Sequence, residues 1–242
     1  GGESTFEVAA AVLDTLDRPV ATIPDSIVGP SGVEFWIEAT TVDTTLRFPP
    51  ADSLPAMIRT RVAELPEPSN HAGTQFRLFS IPLDYGDPAP VVQDFLGAQL
   101  GKSDPKSWRA FAYDPSAATS IDVTVPPATR FRVAPGRGFW LITRGGHRLR
   151  TSSNPGLSTR TRVIPIPLEI GWNLIGDPFD FAVSWSDVRG GAMIQERLAY
   201  DPAVANGSGR GFIPAPSTLT PFAGYFVKAT APDTLWIPPS EA

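Results

Sequence analysis

The alternation in Val33-Glu34-Phe35-Trp36-Ile37-Glu38-Ala39 places Val33, Phe35, Ile37 and Ala39 on one side and Glu34, Trp36 and Glu38 on the other. A period of two with one apolar side predicts a half-buried strand. Ile121-Asp122-Val123-Thr124-Val125 predicts another. Ile164, Ile166, Leu168 and Ile170 share a face in a segment that also holds Pro165 and Pro167. Proline cannot donate to a strand ladder, so this segment is expected at a sheet edge. Helical patterns are few and short: Pro90 to Leu100, a turn from Ser184 to Val188, and Phe6 to Leu16. With 27 prolines and 21 glycines scattered through 242 residues, the chain reads as many short strands separated by turns. The expected class is all-β.

Three blocks recur in the same order. Phe76-Arg77-Leu78-Phe79-Ser80-Ile81-Pro82 aligns with Trp172-Asn173-Leu174-Ile175-Gly176-Asp177-Pro178 at an offset of 96. Phe111-Ala112-Tyr113-Asp114-Pro115 aligns with Leu198-Ala199-Tyr200-Asp201-Pro202 at an offset of 87. Gly136-Arg137-Gly138-Phe139-Trp140 aligns with Phe222-Ala223-Gly224-Tyr225-Phe226 at an offset of 86. The offset shrinks mainly between the first and second blocks, as a deletion in the second copy would produce. Ordered recurrence with one gap predicts an internal duplication. A glycine before each ring pair suits a bulge or a close backbone approach. The polar, proline-rich Glu64-Leu65-Pro66-Glu67-Pro68-Ser69-Asn70 predicts a linker.

The repeated blocks, together with the Gly-Trp-Asn-Leu-Ile-Gly-Asp-Pro-Phe run at 171–179, resemble a duplicated module of secreted and cell-surface bacterial proteins. In that family the module usually sits near the C-terminal end of large multidomain chains, often after fibronectin type III-like domains, and is not regarded as catalytic. The first 65 residues resemble the latter part of a fibronectin type III-like domain. A complete sandwich of that kind has about seven strands, and this stretch has room for four or five, so its opening strands are expected to be missing.

The resulting expectation is an incomplete immunoglobulin/fibronectin III-like β-sandwich over 1–65 and a linker over 66–75. A pseudo-symmetric two-repeat β domain with short helices would follow, with repeats over 76–150 and 161–242. The resemblance implies an extracellular or cell-surface structural or adhesion module. An open sheet border would let it join other domains or further copies of itself by strand complementation, building a filament or surface array.

Composition narrows the function classes. At 42% hydrophobic residues the chain is too apolar for intrinsic disorder, and no run approaches the ~18 apolar residues of a membrane-spanning helix. A net charge of −5 supplies no basic field for nucleic acid. The absence of cysteine removes thiol catalysis, cysteine-ligated zinc and disulfides together. Seventeen of the 20 basic residues are arginine, which fits either a GC-rich coding sequence or a demand for planar, bidentate ion pairs.

Candidate chemistry is sparse. The two histidines, His71 in the linker and His147 in a Gly-Gly-His-Arg turn, come with no Gly-x-Ser-x-Gly elbow. Asp177 and Asp180 are the nearest approach to a glycosidase carboxylate pair. Asp84, Asp114 and Asp201 sit where turn chemistry uses aspartate. No cofactor and no enzymatic activity are expected. Calcium stays open, although no Asp-x-Asp-x-Asp-Gly loop is present. Asn206 to Gly211 reads as a hairpin tip rather than a phosphate loop. Trp36 and Trp236 occupy the polar sides of their strands and are expected to face outward, as contacts for a partner protein or a glycan. Trp108 and Trp185 are further platform candidates, whereas Trp140 and Trp172 are expected in the core. The alternative to a structural module is a carbohydrate-binding accessory module of a secreted hydrolase.

Overall fold

The computed structural model describes residues 8–24, 27–29, 32–50, 52–53, 55–124, 131–151, 153–205 and 211–242. The expected strand end at Val125 and the loop at 206–210 lie outside them. The chain is built from short strands with two helices, Val92–Leu100 and Pro202–Ala205, among the described residues. It divides into two compact units, 1–60 and 61–242.

The first unit contains three separate antiparallel pairs among its described residues: Val12–Leu13 with Pro19–Val20, Val33–Phe35 with Ala56–Ile58, and Ile37–Thr40 with Thr45–Phe48. Phe6 to Leu16 was expected to be helical; of it the structure describes 8–16, and these include the strand Val12–Leu13. The reason is local. The Asp14 carboxylate accepts the backbone N–H of Leu16 (2.8 Å) and of Arg18 (3.0 Å) and pairs with the Arg18 guanidinium, closing a turn instead of a helix. No described side chain of this unit is buried, so its strand pairs do not close over a core of their own as a sandwich would.

The second unit holds the duplication. Phe76–Ser80, Trp108–Asp114, Thr119–Asp122 and Gly138–Thr143 form one antiparallel sheet, in the spatial order third, second, fourth, first. Gly171–Gly176, Ile194–Tyr200, Phe212–Pro214 and Gly224–Ala229 form a second with the same order. Where the repeat offset shrinks, the first copy carries the nine-residue helix Val92–Leu100, whereas among the described residues the second has turns and short strands.

Alternation gives each sheet two apolar faces. Phe79, Trp108, Ala110, Phe139 and Leu141 face a core closed by the helix residues Val92, Phe95 and Leu96. The corresponding face of the second sheet, with Ile175, Tyr225 and Val227, is closed by the strands Ile164–Leu168 and Asp233–Ile237. Ile164–Leu168 is an edge strand, with Pro165 and Pro167 outward and Ile164, Ile166 and Leu168 buried. Ile170 lies beyond the strand end and is exposed, a departure from the shared face expected of it.

The remaining faces meet across an approximate two-fold relation. Tyr113 packs edge-on against Phe226 at 5.2 Å, and its counterpart Tyr200 packs edge-on against Trp140 at 4.9 Å. Trp140 and Phe226, themselves counterparts, lie 6.0 Å apart. Ser80 N–H donates to the Phe222 carbonyl at 3.0 Å, while Gly176 N–H donates to that of Gly136 at 2.9 Å. Gly136 and Phe222 share a left-handed backbone, with φ of 78° and 63°. Trp140 and Trp172 are thus half-buried in an aromatic seam between the sheets.

The repeated glycine follows from this packing. A Cβ on Gly138 would lie 2.4 Å from the Ile175 carbonyl oxygen, and one on Gly224 would lie 2.9 Å from Leu78 Cβ. Each glycine lets the first strand of the other repeat approach closely.

The stretch 66–75, expected as a linker, is instead docked in the second unit. His71 and His147 exchange backbone hydrogen bonds of 2.8 and 3.0 Å, and Glu67 N–H donates to the Leu149 carbonyl at 2.8 Å. The boundary between units falls at Thr60, ahead of the proline-rich stretch.

Candidate functional site

One exposed apolar feature of the first unit is the hairpin Ile37–Thr40/Thr45–Phe48. Its register pairs Ile37 with Phe48, Glu38 with Arg47, Ala39 with Leu46 and Thr40 with Thr45. Paired residues share a face, so Ile37, Phe48, Ala39 and Leu46 form an apolar side and Glu38, Arg47, Thr40 and Thr45 a polar one. Yet Ile37 is 58%, Leu46 68% and Phe48 63% exposed. Covering three such side chains is worth roughly 3–6 kcal/mol. Among the described residues each strand has only the other as a neighbour, so the outer backbone edges are open too.

Trp36 lies just before this hairpin, where the single strand expected over 33–39 is broken into Val33–Phe35 and Ile37–Thr40. It is half-buried, with the Arg47 guanidinium 4.2 Å from its ring centroid. Arginine covers the ring face that was expected to be an open contact, because a cation gains from the π-face it shields. Trp236 does face outward, 47% exposed, opposite Pro165 and Arg189 in the middle strand of its sheet. Trp108 is buried with its indole N–H on the Gly101 carbonyl at 3.0 Å, and Trp185 is buried beneath the Arg197 guanidinium at 4.7 Å. Of the tryptophan platforms considered, Trp236 keeps an open face.

The two histidines, distant in sequence, come together with their ring centroids 5.7 Å apart. Between them lies an ion pair that sequence reasoning missed. Glu67, 3% exposed, receives Arg77 Nη1 on Oε1 at 2.5 Å and Nη2 on Oε2 at 3.1 Å. His71 Nε2 donates to Oε1 at 2.9 Å, and Leu149 N–H to Oε2 at 3.0 Å. Arg77 Nε donates to His147 Nε2 at 3.0 Å, and His147 Nδ1 lies 2.8 Å from Thr143 Oγ1. Burial opposes the charge on Glu67, but His71, Arg77 and the Leu149 amide outweigh it and hold its carboxyl below the usual range. The cluster forms one wall of a groove of about 690 Å³ whose other residues include Tyr200, Pro214 and Phe222. Both carboxylate oxygens, all three guanidinium nitrogens and both His147 ring nitrogens are engaged within the cluster. Such a network pins backbone; it holds no carboxylate oxygen in reserve for a substrate. One signal for it was in the sequence: a lone arginine in the apolar run Phe76-Arg77-Leu78-Phe79.

The aspartates divide into structural roles. Asp180 makes a bidentate pair with Arg160 at 2.7 and 2.9 Å. Asp177 is fully buried, its Oδ1 accepting Phe179 N–H at 2.9 Å and its Oδ2 without a partner among the described residues. Burial pushes its carboxyl up to about 8. Asp84, Asp114 and Asp201 each accept a backbone N–H two residues on, from Gly86, Ser116 and Ala203, as turn aspartates do. Among the described residues no three His, Asp or Glu side chains converge to hold a metal ion, and no helix is long and apolar enough to cross a membrane.

Comparison with protein families, curated proteins and solved structures returns no match.

Proposed function

We propose that the chain is a non-enzymatic structural or adhesion module of the bacterial cell surface or extracellular space. It acts by packing its N-terminal strands against partner domains or further copies of itself. The observation that carries this reading is the Ile37–Phe48 hairpin, whose apolar face is exposed and whose strands have no other strand neighbour among the described residues. An isolated two-stranded hairpin is marginal in water, and added strands or a facing sheet would supply the missing burial. The extracellular setting rests on the resemblance of the repeated blocks.

Sedimentation velocity across a wide concentration range tests the self-associating form. The parent chain is expected to associate as concentration rises, and Leu46→Lys with Phe48→Lys to remain monomeric. A parent that stays monomeric throughout and captures no partner domain on its hairpin face would overturn the reading.

A second reading, a carbohydrate-binding accessory module, is favoured by one feature. Trp236 is exposed on the outer face of its sheet beside Pro165, and an open indole can stack on a sugar ring. Glycan-array binding abolished by Trp236→Ala would select it over self-association.

A further inference from the structure

The proton directions in the cluster around Glu67 are determined by its own geometry. Thr143 Oγ1 donates its single proton to the Gly145 carbonyl at 2.7 Å, so towards His147 Nδ1 it can only accept. The neutral ring's one proton therefore sits on Nδ1, which leaves Nε2 as the acceptor that Arg77 Nε requires. Arg77 in turn presents Nη1 and Nη2 to Glu67. A second proton on His147 has one place to go, Nε2. There it would set two N–H groups head-on at 3.0 Å, next to an arginine.

We propose that this arrangement is an acid-released clasp: protonation of His147 breaks its contact with Arg77, loosens the Arg77–Glu67 pair and frees residues 64–73 from the Thr143–Thr151 rim while the two-repeat core stays folded.

The charged groups around His147 give the proposal its direction. Arg77 faces it from the strand Phe76–Ser80, and Glu67 and His71 face it from the docked stretch. Arg148, next to it in sequence, donates from Nε to the Glu67 carbonyl. Glu67 is the only anion of the group, and it is already shared by Arg77 and His71. Added positive charge on His147 has nothing left to neutralise it. Burial, and then Arg77, hold His147 down at about 4 against an ordinary 6.5. A released ring takes up its proton near 6.5, so the clasp is at full strength above that value. It weakens as pH falls towards about 4. The rest of the docking consists of Leu65, half-buried against the core with its N–H on Thr151 Oγ1 at 2.7 Å, the backbone bonds of Leu65, Glu67, His71 and Thr74 to the rim, and an exposed Arg150–Glu64 pair. The buried residues of the core around Phe79 and Phe139 are apolar, and burial pushes the phenol of Tyr85 packed on it further up. Asp177, near Tyr225 in the second repeat, adds stability as pH falls towards 3.8, so acid does not open either core over the same range.

The test follows both histidine rings and backbone amide protection by NMR on the whole chain from neutral pH downwards. The expected result is that protection of the Glu67 and His71 amides collapses together with His147 protonation, while the amides of Phe139, Leu141, Tyr225 and Val227 stay protected. Protection of the Glu67 and His71 amides that survives His147 protonation overturns the proposal, as does simultaneous loss at the four core amides. His147→Gln keeps an acceptor for Arg77 but cannot titrate, and is expected to lower the release midpoint by about one pH unit or more. Release at the parent's midpoint in that variant overturns the role given to His147.

Discussion

Replacing Asp177 by asparagine tests the electrostatics of the second repeat at one atom. The side chain is fully buried at the position where the first repeat carries the equally buried Ile81. One carboxyl oxygen takes the Phe179 amide, and burial raises the group from 3.8 to about 8. Below 3.8 the carboxyl is protonated in both folded and unfolded chains, and the folded state carries no penalty. Between 3.8 and about 8 the unfolded chain has released the proton while the folded one retains it, so stability falls as pH rises through that window. Near neutrality roughly three pH units of that window have been crossed, a loss of about 4 kcal/mol. The asparagine keeps the shape and the acceptor for Phe179 but does not titrate. Urea unfolding followed by tryptophan fluorescence, at about pH 4.5 and about pH 7.5, measures the two stabilities. Asp177→Asn should lie close to the parent at the lower pH and exceed it by about 2–4 kcal/mol at the higher. Any titration of His147 cancels in the difference, since both chains share it. A gap that stays constant between the two pH values would refute the argument.

Other outcomes follow from the packing. Gly138→Ala and Gly224→Ala each push a Cβ into the opposite repeat, and each should lower stability by about 2 kcal/mol or more in denaturant titration. Trp140→Ala removes ring contacts to Phe76, Tyr200, Phe212 and Phe226, and should lower stability by about 3–5 kcal/mol in the same assay. Glu67→Gln leaves the buried Arg77 without its counter-charge, and a loss of about 3 kcal/mol is expected near neutral pH. Arg77→Met together with Glu67→Gln should recover part of that loss.

The arginine-rich composition has a structural use in the second unit. Arg77 with Glu67 and Arg160 with Asp180 form two-pronged pairs, a geometry that lysine cannot reproduce. A GC-rich coding sequence remains compatible with this, since the pairs account for only a few of the arginines.

Much of the second unit was legible along the chain. Alternation within one segment made Ile164–Leu168 legible by itself, and recurrence in a fixed order marked Phe76–Ser80 and Gly138–Thr143. The Gly-aromatic-aromatic blocks were visible because the same steric demand occurs twice, once against Ile175 and once against Leu78. The helix at Val92–Leu100 was local as well. Turn aspartates such as Asp114 and Asp201 announced themselves because they bond backbone only two residues away.

What depended on distant partners was decided by the tertiary structure alone. Glu67 looks like one more polar residue between two prolines until Arg77, His71 and Leu149 surround it, and that bridge makes docked structure of a stretch composed like a linker. Asp177 gives no sign in sequence of being an acid sealed from water. Trp36 falls between Val33–Phe35 and Ile37–Thr40, two strands with different partners where alternation suggested one, and Arg47 covers its ring. The open apolar face of Ile37, Leu46 and Phe48 is likewise a matter of what lies opposite. Periodicity states which side chains want burial, because that preference belongs to each residue; whether anything meets them is a property of the assembled fold.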